Sequence, residues 1–291
     1  MAAVQVLILG LLLGGVYALM ASGLTLVFGV MHIVNLAHAI FIFTGAYLAY
    51  LVFSWFGMDP FVSLVVTMPA LFVIGALLYR LLFPRLEGTQ RFTEATVLLT
   101  FAVALIFEGI LAWTFSGIYR TTTPAYASDA FIVGPLFIPT GQLYASLISL
   151  VLLAALWGLL YFTRIGYAIR ATMQNREAAQ IVGVNVRRTS TIAFGVGLAL
   201  AGASGSLLSF LFTFFPSGHW QWIALLLSLI VLGGLGSLRG ALIGALVLAV
   251  AAAFVSDWFG PTWAPMTFFA ALFGVLLVRP QGLFGKPMEA I

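Results

Sequence analysis

A chain of 291 residues could bury a sizeable core, but 63% hydrophobic and 7% charged residues could not solvate its surface; a soluble domain carries roughly 25% charged residues. The composition implies an all-α polytopic membrane protein, and the short alternating segments of a transmembrane β-barrel do not occur. The net charge of +4 is confined to a few intervals, so it serves topology and gives no argument for nucleic acid; with no cysteine, disulfides and thiolate metal sites are excluded.

A membrane span needs about 20 apolar residues. Runs of that length lie near 5–28, 36–53, 61–83, 95–116, 142–162, 191–212 and 240–257. Shorter ones cover Trp222–Leu235 and Pro265–Val278. The chain, 1–291, is therefore expected to be a single transmembrane domain with eight or nine crossings. The first run has no positive segment ahead of it and continues past Ala18-Leu-Met-Ala21, so it reads as a retained span, not a signal peptide.

Between the first two runs lies a polar cluster, Asn35-Leu36-Ala37-His38. At i and i+3, Asn35 and His38 would share a helix face, and Asn35 suits the cap of a helix beginning at Leu36. A broken segment lining a translocation path would use the same residues. Glu108 stands in the middle of the fourth run, with no basic residue at matching depth. A charged carboxylate there costs at least about 2.5 kcal/mol on insertion scales. It should therefore be protonated or face the protein interior, as a structural hydrogen bond or as a pathway or gate residue. The interval 117–141 reads as a loop with one short helix, too short for a folded domain.

The longest polar interval, 164–190, carries Arg164, Arg170, Arg176, Arg187 and Arg188 against a single acid, Glu177. Ala178 and Ala179 would give a helix there a small-residue face for another protein's groove. Gly183 suits the left-handed position that ends such a helix, with Arg170, Arg176 and Glu177 as polar contacts. Further on, Gly197, Ala201 and Gly205 recur at helical spacing, as do Gly236, Gly240 and Gly244, and Gly10 with Gly14. Such stripes let helix backbones approach closely where lipid offers no hydrophobic drive.

Arg80, Arg85 and Arg91, the 164–188 arginines, Arg239, Arg279 and Lys286 alternate with Ser54–Pro60, Gly117–Thr140, Thr213–Gln221 and Asp257–Ala264. Arginine excess marks the cytoplasmic side, so the first set is expected inside, the second set outside, and the N-terminus outside. Trp55, Trp220, Trp222, Trp258 and Trp263 then fall at the external ends as an interfacial belt. A P-loop needs a lysine after its glycines and before Ser or Thr. The only lysine here is Lys286, followed by Pro287, so any ATP is bound by a partner.

Two short motifs carry resemblances. Gly202-Ala203-Ser204-Gly205 is similar to the GxSG motif of rhomboid intramembrane proteases, whose base is a histidine in a later helix. Only His219 follows Ser204, in an interval expected to be an external loop, while Asn35 and His38 are spaced NxxH and not HxxxN; helix packing is the favoured reading. Glu177-Ala178-Ala179, three residues and then Gly183 resembles the EAA-Gly loop by which permeases of ATP-binding-cassette importers touch their ATPase subunits.

The chain as a whole resembles the branched-chain amino acid permease family, in its shorter, LivH-type subunit. Four stretches carry this: YALMASGLTLVFGVMHIVNLAHAIFIFTGAYLA at 17–49, RIGYAIRATMQNREAAQIVGVNV at 164–186, LGGLGSLRGALIGALV at 232–247 and RPQGLFG at 279–285. The resemblance implies a permease core like that of type II, vitamin B12-like importers, in the bacterial inner membrane. It implies a second homologous permease, two cytoplasmic ATPase subunits holding ATP and Mg, and an external solute-binding protein. This chain would then bind no cofactor or metal and catalyse nothing. Coupling falls on Glu177, Ala178, Ala179 and Gly183, and Asn35 and His38 fall in the motif after the first span. The sequence departs from the family in lacking Leu-Pro after Gly183 and in having Ala39 where Gly is common. A self-contained secondary transporter or channel is the nearest alternative, but intramembrane charge for a coupling-ion site is nearly lacking.

Overall fold

Inside lipid a backbone must satisfy its own polar groups, and helices do so within one segment. The computed structural model describes residues 2–86, 89, 91–279 and 281–285; Lys286 lies outside these described residues. The long helices are α1 (Ala2–Met31), α2 (His38–Phe56), α3 (Leu64–Leu82), α4 (Phe92–Phe115), α5 (Thr140–Phe162), α8 (Val186–Leu211), α10 (Leu238–Phe259) and α11 (Ala264–Val278). Two short helices, α6 (Arg164–Gln174) and α7 (Arg176–Ile181), fill the arginine-rich interval, and α9 (His219–Gly233) follows α8. Eight helices among the described residues are long and apolar enough to span a membrane. The last of them is counted as Pro261–Val278, α11 with the 3₁₀ turn ahead of it, and α9 is not among them; its 15 residues cover about 22 Å where a hydrocarbon core needs about 30 Å.

The core forms around α8, whose buried positions run almost unbroken from Ala193 to Phe210. Around it stand α1, α2 and α3, with α10 against the far side of α1. The small residues make this possible. A Cβ on Gly205 would meet the Ala46 nitrogen at 2.6 Å and the Gly45 carbonyl carbon at 2.8 Å, so only glycine lets α2 and α8 approach this closely. One on Gly197 would lie 2.9 Å from the Gly23 carbonyl oxygen of α1, and Ala201 between them is fully buried. Gly240 and Gly244 face Gly233 of α9. Gly236 does not continue that helical stripe: it sits in the turn before α10 with φ +81°, ahead of the Ser237 cap.

The bundle has two distinct ends. At one, Met173 of α6 lies against Gly29 of α1, Gly236 packs on the same glycine, and Leu283 donates to the Leu232 carbonyl. This end carries the arginine clusters. At the other, Tyr126 donates to Asp59 at 3.1 Å, and the Gln5 side chain pairs with both backbone groups of Phe137. Burial, with the Asp59 carboxylate beside it, raises the Tyr126 phenol above its usual range. The interval 117–141 is more ordered than the sequence suggested. Besides a 3₁₀ turn at Ala125–Ala127 it folds an antiparallel hairpin, β1 (Ala130–Val133) with β2 (Leu136–Pro139), pairing Val133 with Leu136. Gly134, at φ +61°, supplies the positive-φ residue that a two-residue hairpin turn requires.

Thr213–Gln221 is not the exposed loop that its neighbours in sequence implied. Phe214, Pro216, Gly218 and His219 are all buried, and Phe214 exchanges two backbone hydrogen bonds of 2.9 Å with Arg120. The segment dips into the bundle, and α9 starts from within it. That is how a helix short of the full span still joins the two ends.

Candidate functional site

The first polar cluster occupies a second interruption, of opposite sense. After Met31 the chain leaves the helix through His32, at φ +55°, and residues 32–37 return into the bundle in non-helical backbone. The expected helix start at Leu36 moves to His38, and with Asn35 outside the helix the shared helix face does not form. Asn35 instead closes a turn: its Oδ1 accepts from the Ala37 N–H at 3.1 Å, and its carbonyl from the His38 N–H at 3.2 Å. His38 Nε2 lies 3.3 Å from the Met20 carbonyl oxygen, so α2 begins well inside the span of α1. Thr100 of α4 receives the Leu36 N–H at 3.3 Å and so braces the break. Asn35 Nδ2 and His38 Nδ1 are buried without partners.

The start of α9 meets the start of α2 here. Phe43 lies edge-on to His219 with centroids 6.2 Å apart, and a Cβ on Gly218 would touch the Phe43 ring at 3.2 Å. The two helices run in opposite directions, so two helix N-termini, each opening on a buried histidine, converge in the interior. A helix N-terminus favours an acceptor oxygen, and Glu108 of α4 supplies one. Its Oε2 accepts from Trp220 Nε1 at 3.0 Å and lies 4.0 Å from His219 Nε2. His219 Nδ1 donates to the Pro216 carbonyl oxygen at 2.9 Å, which leaves Nε2 facing the carboxylate. His219 Nε2 makes no hydrogen bond of its own, so the carboxylate is held by the Trp220 N–H with the imidazole edge beside it. His219, expected in an external loop, is the basic group at the depth of Glu108 that the order of residues along the chain does not reveal. The folded-in segment 212–218 brings it there.

Ser204 is buried on α8, and its hydroxyl has no hydrogen-bond partner; His219 is engaged with Pro216 and Glu108 instead. The serine–base pair that nucleophilic chemistry needs is not formed.

At the arginine-rich end, local capping builds a compact helix–turn–helix. Thr163 accepts from the Gly166 N–H at 3.0 Å to start α6, and Asn175 accepts from the Ala178 N–H at 2.9 Å to start α7. α7 ends as a Schellman motif: Gly183 donates to Gln180 at 3.0 Å, Val184 donates to Ala179 at 2.9 Å, and Gly183 takes φ +89°. Asn185 then caps α8 through the Arg188 N–H at 2.9 Å. The expected partner face differs in detail. Ala178 and Glu177 are exposed, but Ala179 is 3% exposed and packs within its own chain. Arg170 is held over the Tyr161 and Tyr167 rings at 4.3 and 4.9 Å, so its guanidinium is engaged internally. Arg176 is half-buried at the start of α7. The apolar surface offered outward is Ile181 and Val182, 85% and 77% exposed. Two such residues directly before a capping glycine are the signal that could have found them.

Residues 6–279 match the family model described as branched-chain amino acid transport system / permease component. The chain is 30% identical to a probable branched-chain amino acid transport permease protein LivH of Methanocaldococcus jannaschii, over 92% of this chain and 88% of that one. It is 29% identical to the high-affinity branched-chain amino acid transport system permease protein BraD of Pseudomonas aeruginosa, over 97% and 96%. It is 27% identical to the corresponding LivH protein of Escherichia coli K12, over 96% and 94%. Among solved structures, a chain of PsaBC from Streptococcus pneumoniae in complex with Fab shares the fold at TM-score 0.51 and 14% identity, covering 94% of this chain and 92% of that one.

Proposed function

The chain belongs to the family of branched-chain amino acid transport system permease components, and on that premise we propose that it is one of two membrane subunits of an ATP-driven importer. Its partners in this reading are a second, homologous permease, two cytoplasmic ATPase subunits and an external solute-binding protein. The cargo is a branched-chain amino acid or a related small polar solute. The arginine-rich end faces the cytoplasm of a bacterial inner-membrane system. ATP and Mg belong to the ATPase subunits, since Lys286-Pro287 is no P-loop.

The observation that carries this reading is the capped α6–α7 element with Ile181 and Val182 exposed at its tip. An apolar tip among arginines on an otherwise polar end suits a groove on another protein. Movement delivered there has a physical route inward. Met173 of α6 rests on Gly29, and α1 ends two residues later at the His32 break. That break leads directly to Asn35, His38 and the convergent helix starts beside Glu108. The translocation path in this reading runs along that junction, between this chain and the second permease.

The test is co-expression with the ATPase and binding-protein genes encoded beside this one, comparing the native chain with an Ile181→Glu/Val182→Glu double variant. The variant should reach the membrane normally, yet lose ATPase subunits or lose their stimulation by loaded binding protein. Uptake that persists without ATPase subunits and collapses with a protonophore would replace this reading with a self-contained carrier built on Glu108 and His219.

A further inference from the structure

At the end of the bundle opposite the arginines, a cleft of about 810 Å³ opens between α1, α9, α10 and α11. Its floor is the alanine face of α10 (Ala249, Ala252 and Ala253), and Leu9, Leu13 and Phe269 are among its walls. Its inner limit is aromatic: Tyr17 stands edge-on to Trp222 and to Phe268, each at 6.0 Å between centroids. Polar groups gather at the rim, where Ser256, Asp257, Gln142 and Gln221 line the opening. From Val6 to Tyr17 the α1 wall rises about 16 Å at the helical repeat, a length parallel to the bundle that suits an extended hydrocarbon chain.

The rim chemistry is one-sided. Asp257 is exposed and has no ion-pair partner among the described residues, and the Gln142 Oε1 is buried without a hydrogen-bond partner. The rim has an acid, two amides and the Ser256 hydroxyl, and the lining holds no cationic side chain. An apolar chain carrying an ammonium head fits: the head faces the exposed Asp257, and amide N–H groups can donate to a phosphate beside it. We infer that this cleft holds one acyl chain of a phospholipid with a primary-amine headgroup, drawn from the leaflet opposite the arginine-rich end. The inference is independent of what the protein transports.

The test uses the full chain, purified with whatever subunits accompany it, in nanodiscs of equal phosphatidylethanolamine and phosphatidylglycerol with identical acyl chains. After transfer to mild detergent, retained lipid is counted by native mass spectrometry. The amine-headed lipid should be enriched about fivefold, the preference that one partly exposed ion pair supplies. Asp257→Asn, at an exposed position that does not threaten folding, should bring the ratio near one while lipid is still retained. Leu9→Trp, which fills the cleft from its wall, should reduce retention of both lipids about tenfold. A headgroup ratio near one in the native chain overturns the inference. So does unchanged retention in Leu9→Trp, or a cleft that retains no lipid because a second permease covers it.

Discussion

Glu108 keeps its carboxylate inside the bundle with no arginine or lysine paired to it among the described residues. The Trp220 N–H, the His219 ring and the first turn of α9 take the place of a cation. This arrangement needs an acceptor oxygen at position 108 more than it needs a charge. Glu108→Gln should therefore retain assembly and most transport. Glu108→Leu leaves the Trp220 N–H without its acceptor, at a cost of about 1–3 kcal/mol, and should lower the yield of assembled protein. If both variants assemble normally and neither transports, the carboxylate itself is required for function. Ser204, by contrast, makes no hydrogen bond. Ser204→Ala should transport at close to the native rate, whereas Gly205→Leu should fail to assemble. The leucine would push α8 away from the α2 backbone, an overpacking cost of about 1–3 kcal/mol at the least.

At the scale of elements, the arginine-rich interval was legible because its signals are local. A capping asparagine, a short helix and a glycine at the left-handed position are decided by neighbours in sequence, and Gly183 adopts that geometry. What was not legible is which side of α7 faces out, since that depends on how Ala179 packs within its own chain. Two substitutions separate these effects. Gly183→Val strains a left-handed turn by about 1–2 kcal/mol in a solvent-facing loop, so the permease should be present at normal level while ATPase stimulation falls. Ala179→Trp would force an indole into a position only 3% exposed, so it should reduce the amount of folded chain as well. Equal membrane levels for the two variants, measured by quantitative blotting, would contradict the burial of Ala179. The same distinction explains the two interrupted elements. Asn35-Leu36-Ala37-His38 announced a break because Asn35 can satisfy backbone N–H groups locally. The inward turn at 212–218 rests on long-range pairing with Arg120 and Phe43, and no residue within it signals that.

Across the whole molecule, the two breaks reconcile the count of eight or nine crossings. Eight helices have the length to span, yet the described chain passes between its ends nine times. The passage through α9 is completed by the folded-in segment before it, and the one through α2 by residues 32–37. An odd number of passages puts Gln5, paired to the hairpin, and Leu283, paired beside the arginines, at opposite ends. Hydropathy alone undercounts such a chain, because a window tuned to about 20 apolar residues passes over a helix of 15. Sidedness can be measured cleanly, since the native sequence has no cysteine to label. Single substitutions Gly134→Cys, in the hairpin turn, and Ile181→Cys, at the tip of α7, sit on exposed positions at the two ends. With a membrane-impermeant maleimide, Gly134→Cys should label in intact cells, and Ile181→Cys only after the membrane is opened. Labelling of Ile181→Cys in intact cells would turn the protein over and remove the ATPase-facing role of α7. Labelling of both would mean that α5 does not carry the chain from one end of the bundle to the other, which the contacts of Phe137 with Gln5 and of Met173 with Gly29, at opposite ends of α1, exclude.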